Sequence, residues 1–132
     1  MKTYHGSCHC GAVRFAADLD LAHGTMRCNC SFCLKMRCWA AAVAPTSFRL
    51  LAGEADLSEY RFGAQRERHF VCRHCGVRPF GIAHSPRRGE FYGVSVTCLD
   101  DVSDEELAGA PITYVDGRND NWDTPPLETR YL

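Results

Sequence analysis

The sequence predicts a mainly β fold of short strands held together at clustered cysteines, on three observations. Apolar residues alternate in short runs separated by glycine and proline, the period-2 pattern of half-buried strands. Only Ser103-Asp104-Glu105-Glu106 carries the capping-box start of a helix. Seven of the nine cysteines fall into three close groups: Cys8 with Cys10, Cys28 with Cys30 and Cys33, and Cys72 with Cys75. Thiols grouped as C-x-C and C-x-x-C bring two sulfurs to one point, which is what a tetrahedral metal site requires.

The elements follow in chain order. In Gly11–Ala17, Val13 and Phe15 alternate with Arg14, so a strand leaves the first cysteine pair, and Asp18–Thr25 reads as the turn that follows. The chain returns through Met26 to the Cys28 group. Leu34–Arg37 fits a single helical turn, and Trp39–Val43 is an apolar run ending at Ala44-Pro45, a buried strand. Phe48 and Leu50 alternate, as do Tyr60 and Phe62, with Gly53 and Gly63 as punctuation. His69-Phe70-Val71 leads into the Cys72–Cys75 knuckle, closed by Gly76 where a tight turn wants positive φ. Phe91–Cys98 is the clearest strand, with Tyr92, Val94, Val96 and Cys98 on one face. A short helix from Ser103 stops at Gly109, and the polar tail with Pro125-Pro126 reads as an extension over 119–132.

Composition sets the frame. With 132 residues, 45% hydrophobic and 23% charged, the chain is expected to form a single domain, 1–132. Its core is modest enough to gain from a metal staple. No apolar run approaches the ~20 residues of a membrane span, and the first residues lack a secretory h-region, so a cytoplasmic location is expected. In a reducing compartment, nine cysteines read as metal ligands rather than disulfides. Net charge is −1, which argues against wholesale nucleic-acid binding. Seven arginines nevertheless lie between Arg61 and Arg88 against one acid, Glu67. They are read either as a solvated face or as a means of catching the carboxylates of a small anionic ligand.

Cys8, Cys10, Cys72 and Cys75 make a closed four-sulfur zinc site that joins segments about 60 residues apart, where a cross-link gains most. His9 and His74 are expected to point outward or to support the ligands. Cys28, Cys30 and Cys33 make a second zinc site that is one ligand short. Three thiolates leave a soft Lewis acid suited to a thiol as fourth ligand, and coordination makes that thiol a nucleophile at neutral pH. The alternative is a second structural zinc closed by Cys38 or Cys98.

Three segments carry a family resemblance. They are Gly6-Ser7-Cys8-His9-Cys10-Gly11-Ala12-Val13, Cys28-Asn29-Cys30-Ser31-Phe32-Cys33, and Phe70-Val71-Cys72-Arg73-His74-Cys75-Gly76 with Pro79-Phe80. Together with Val96-Thr97-Cys98-Leu99-Asp100 they resemble the glutathione-dependent formaldehyde-activating enzymes, also called the centromere-protein-V type, over roughly residues 4 to 117. The resemblance implies a β-tent fold, shared with methionine-sulfoxide reductases of the B type. It implies a structural zinc at Cys8, Cys10, Cys72 and Cys75 and a catalytic zinc at Cys28, Cys30 and Cys33. The implied activity is a carbon–sulfur lyase reaction joining glutathione and formaldehyde as S-hydroxymethylglutathione. Two rivals stand beside it: a non-catalytic zinc-binding interaction module using the arginine-rich stretch, and a redox enzyme with Cys98 as its reactive thiol.

Overall fold

In the computed structural model, which describes residues 1–64 and 66–132, ten strands form two sheets. The small sheet contains β1 (Lys2–Ser7), β2 (Arg14–Leu19) and β5 (Phe48–Ala52) in the order β1-β2-β5, all antiparallel. The large sheet adds β3 (Thr25–Cys28), β4 (Trp39–Val43), β6 (Leu57–Tyr60), β7 (Arg68–Cys72), β8 (Phe80–Ser85), β9 (Gly89–Ser95) and β10 (Ile112–Val115). Its order is β10-β3-β4-β9-β8-β7-β6. The architecture is mainly β, as expected, with one departure from purely antiparallel sheets: β10 runs parallel to β3, pairing Val115 with Cys28.

The sheets face each other across one core. Tyr4, Phe15, Ala17 and Leu19 of the small sheet pack with Ala41, Val43 and Val94 of the large one. Phe48 of β5 bridges them, stacking on Phe15, and its ring centroid lies 4.6 Å from those of both Phe80 and Tyr92. A smaller apolar cluster, Cys8, Val13 and Cys72 with half-buried Leu50, Leu57 and Val77, surrounds the first cysteine group. The four cysteines therefore sit where the sheets converge.

Two short helices complete the chain. α1 (Ser31–Met36) begins inside the cysteine triplet rather than at Leu34, because the Cys30 thiol acts as its N-cap and accepts the Cys33 N–H at 3.3 Å. α2 (Asp104–Gly109) starts at Ser103 with the full capping box, Ser103 Oγ accepting the Glu106 N–H and the Glu106 carboxylate accepting the Ser103 N–H. β9 ends earlier than the alternation suggests, because the chain turns into a 3-10 coil at Val96–Cys98. After β10 it folds back at Asp116–Asn121, and further along the Tyr131 carbonyl accepts a hydrogen bond from Arg37. Among the described residues, no helix is long and apolar enough to cross a membrane.

Candidate metal centres

Four sulfurs around a tetrahedral zinc, each at 2.3 Å, lie ~3.8 Å apart. Cys8 Sγ is 3.6 Å from Cys10 Sγ, and Cys10 Sγ is 3.7 Å from Cys72 Sγ. All four sulfurs of Cys8, Cys10, Cys72 and Cys75 lie within 4.8 Å of one another. The Val13 N–H donates to Cys8 Sγ at 3.3 Å, the bond that steadies a thiolate. Backbone N–H groups of Val77 and Cys10 hold the Cys75 thiol down to about 6. The Ala12 N–H also pulls the Cys10 thiol down, but burial and the neighbouring thiols outweigh it and push Cys10 up to about 11. The charge of four crowded sulfurs is thus unevenly shared, and a dication relieves it. His9 and His74 lie outside the cluster, both exposed, and the His74 ring bonds Asp56 at 2.7 Å.

The triplet is built differently. β3 ends at Cys28, Asn29 turns the chain, and α1 starts after Cys30, which brings the three sulfurs within 4.8 Å of one another. The Cys30 N–H donates to Cys28 Sγ at 3.3 Å. Hydrogen bonds from the Cys28 and Cys33 thiols hold Cys30 down to about 2. Conversely, the Cys30 thiolate pushes Cys28 up to about 11, and Cys28 and Cys30 together drive Cys33 far up. A negative charge on one sulfur thus opposes a second on its neighbours, and a cation would relieve that opposition. Both groups therefore suit a thiophilic ion such as zinc. Cys38 lies on the Cys33 side, where the hydrogen bond to that thiol lowers it to about 7, but it falls outside the mutual 4.8 Å group.

A loop that the sequence reading placed at the edge of a tail forms one wall of this site. Buried Asn29 donates to Asp116 Oδ1 at 2.8 Å and accepts the Arg118 N–H at 3.0 Å, while Asn119 bonds the other Asp116 oxygen at 2.9 Å. These bonds press Gly117 onto the sulfurs. A Cβ there would lie 2.5 Å from Cys28 Sγ, 3.0 Å from the Trp122 ring and 3.2 Å from Cys30 Cβ. On another side stand Phe32, Tyr60, Phe62 and His69, with Phe32 stacked on His69 at 3.9 Å. None of this was read from sequence. Asn29 is separated from Asp116 by 87 residues, and only the parallel pairing of β10 with β3 unites them.

Part of the arginine-rich segment is engaged within the protein. Arg61 and Arg68 both clamp Glu59, Arg87 pairs with Asp123, and Arg78 turns inward to His69. Cys98 is buried in its 3-10 turn, and burial pushes its thiol up to about 11. A reactive thiol needs the opposite environment.

Two sheets converging on a four-cysteine group, with a three-cysteine group beside them, define a mainly β protein whose clustered thiols could hold metal ions. The sequence profile of the glutathione-dependent formaldehyde-activating enzymes matches residues 3–116, and the chain belongs to that family. It is also similar to the crystal structure of a Rhodobacter sphaeroides protein solved as a structural genomics target. That match has 34% identity and a TM-score of 0.70, covering 83% of this chain and 99% of that one. Family membership ties the protein to glutathione and formaldehyde.

Proposed function

We propose that this protein is a carbon–sulfur lyase-type enzyme that joins a thiol, glutathione or one like it, to formaldehyde or a related aldehyde at Cys28, Cys30 and Cys33. The observation that carries the reading is a cluster of three sulfurs to which no fourth side chain is added among the described residues. Zinc held there would supply a soft Lewis acid that favours a thiolate in its remaining position. The chain's own contribution is placement. The Cys30 and Cys33 N–H groups fix two of the sulfurs, and Gly117 gives the loop room to close on them. The stacked rings of Phe32 and Phe62 give one side an apolar wall. The group at Cys8, Cys10, Cys72 and Cys75 is the structural one in this reading, since its four sulfurs, all within 4.8 Å of one another, could fill the four positions of a tetrahedral ion.

The reaction also proceeds unaided in water, so the test is a rate above background. NMR exchange between free glutathione and its hydroxymethyl adduct should be faster with the metal-replete protein. Cys30→Ser should remove the acceleration and lower the bound zinc from two ions to one while leaving the fold intact. A wild-type protein that binds both ions and gives only the uncatalysed rate would overturn the reading.

A further inference from the structure

Next to the triplet runs a buried polar chain that metal binding does not require. His69, on β7, is 1% exposed and is covered by Phe32 and Phe62. Arg78 Nε donates to its Nδ1 at 3.2 Å. A guanidinium only donates, so Nδ1 carries the lone pair. Burial and the Arg78 charge hold the ring neutral, lowering it to about 4, which leaves its single proton on Nε2. Arg78 is itself fixed: Nη1 reaches Ser95 Oγ at 3.4 Å, Ser95 Oγ donates to the Arg78 carbonyl at 2.7 Å, and the guanidinium fills the space where a Cβ on Gly81 would collide.

Among the described residues, the Nε2–H of His69 has no hydrogen-bond partner. Glu67 Oε2 lies 3.5 Å away, one small movement short of a bond. Glu67, unlike His69, can be reached: its side chain is 37% exposed. Burial and the nearby Cys30 charge push its carboxyl up, with Arg78 opposing. A donor of fixed tautomer therefore points toward a reachable carboxylate, and Phe32, which lies between Cys30 and Cys33 in the chain, stacks on the same ring.

We propose that Glu67 carries the proton of the thiol–aldehyde reaction and that His69, its tautomer set by Arg78, positions the carboxylate. This rests on the reading of the triplet as the reacting centre. The chemistry balances within the substrates. The thiol gives its proton to the Glu67 carboxylate, and its sulfur pair forms the new bond to the carbonyl carbon. The carbonyl π pair moves onto oxygen, and Glu67 returns the proton there, so no oxidant, reductant or third reactant is consumed.

The test uses the zinc-loaded full chain. Glu67→Gln should keep two zincs and bind glutathione with a Kd within twofold of wild type, while the rate above background falls about 100-fold, the lower range for general acid–base catalysis. The ring nitrogens of His69, observed by 15N NMR, should show the Nε2–H form in wild type and a mixture in Arg78→Met, and the pH profile of the rate above background should shift in His69→Phe, which keeps the ring's packing and removes the Nε2–H donor. A Glu67→Gln protein at the wild-type rate overturns the role of Glu67. A wild-type Nδ1–H form, or an Arg78→Met ring unchanged from wild type, overturns the positioning by His69. If wild type shows the Nε2–H form yet gives no acceleration, the failure lies in the reading of the triplet, and the proposal falls with it.

Discussion

At Gly117 the absence of a methyl group decides whether the second centre can close. Its Cα lies so near Cys28 and Cys30 that an added Cβ would overlap a sulfur, and neither neighbour is a flexible chain end that can step aside. Gly117→Ala should therefore cut the bound metal from two ions to one, read by elemental analysis, with a far-UV spectrum like that of wild type. Gly109 is the control, for nothing lies within 4 Å of a Cβ built there. Gly109→Ala should keep both ions and raise stability by about 0.5 kcal/mol, the usual gain of alanine over glycine in a helix. Sequence reasoning reached the sulfurs and stopped short of Gly117 and Asn29. A cysteine group declares itself by spacing within six residues. The clamp on it is a pairing between residues 29 and 116 whose meaning exists only once β10 lies beside β3.

Among the elements, α2 was legible to the residue because its start signal is local: Ser103 and Glu106 satisfy each other's backbone N–H groups across three positions. Its docking was not legible. Glu106 also accepts the Tyr4 hydroxyl and pairs with Lys2 at 2.8 Å, tying the helix to β1. Ser103→Ala should cost about 1 kcal/mol in chemical denaturation, the usual worth of an N-cap. Lys2, Tyr4 and Ser103 hold the Glu106 carboxyl down to about 2 against an ordinary 4.5. A depressed carboxyl stabilises the fold at pH values above its unfolded value, and that stabilisation is lost as pH falls through the folded one. The Tm of wild type should thus decline between about pH 5 and 2 more steeply than that of Glu106→Gln, and equal slopes would remove Glu106 from the acid response. Trp39–Val43 was also legible, as an apolar run ended by proline. β8 was not, because Phe80, Gly81, Ile82 and Ala83 are all buried between β7 and β9 and leave no alternation to see. α1 was read late for a different reason: its N-cap is a thiol, a role the usual capping residues do not announce.

For the molecule as a whole, the proposed function divides the labour of the two cysteine groups between holding and reacting, and the packing around each says which loss would be worse. Cys8 and Cys10 follow the last residue of β1 in the small sheet, while Cys72 ends β7 in the large one, so an ion between them fastens sheet to sheet. The apolar packing at that corner is thin, three buried residues with a few half-buried neighbours. A structural zinc contributes ~10 kcal/mol or more in small domains, against a typical total stability of about 5–15 kcal/mol for a native protein. Subtracting the first from the second leaves little or nothing. Cys72→Ser should accordingly lose its cooperative thermal transition and its near-UV signal at 25 °C, and a strong zinc chelator should do the same to wild type. Cys30→Ser should melt within a few degrees of wild type, because the triplet lies beside β3 and α1 and does not join the two sheets. If instead Cys72→Ser melts like wild type while Cys30→Ser unfolds, the assignment of the two centres must be exchanged, and with it the location of the chemistry.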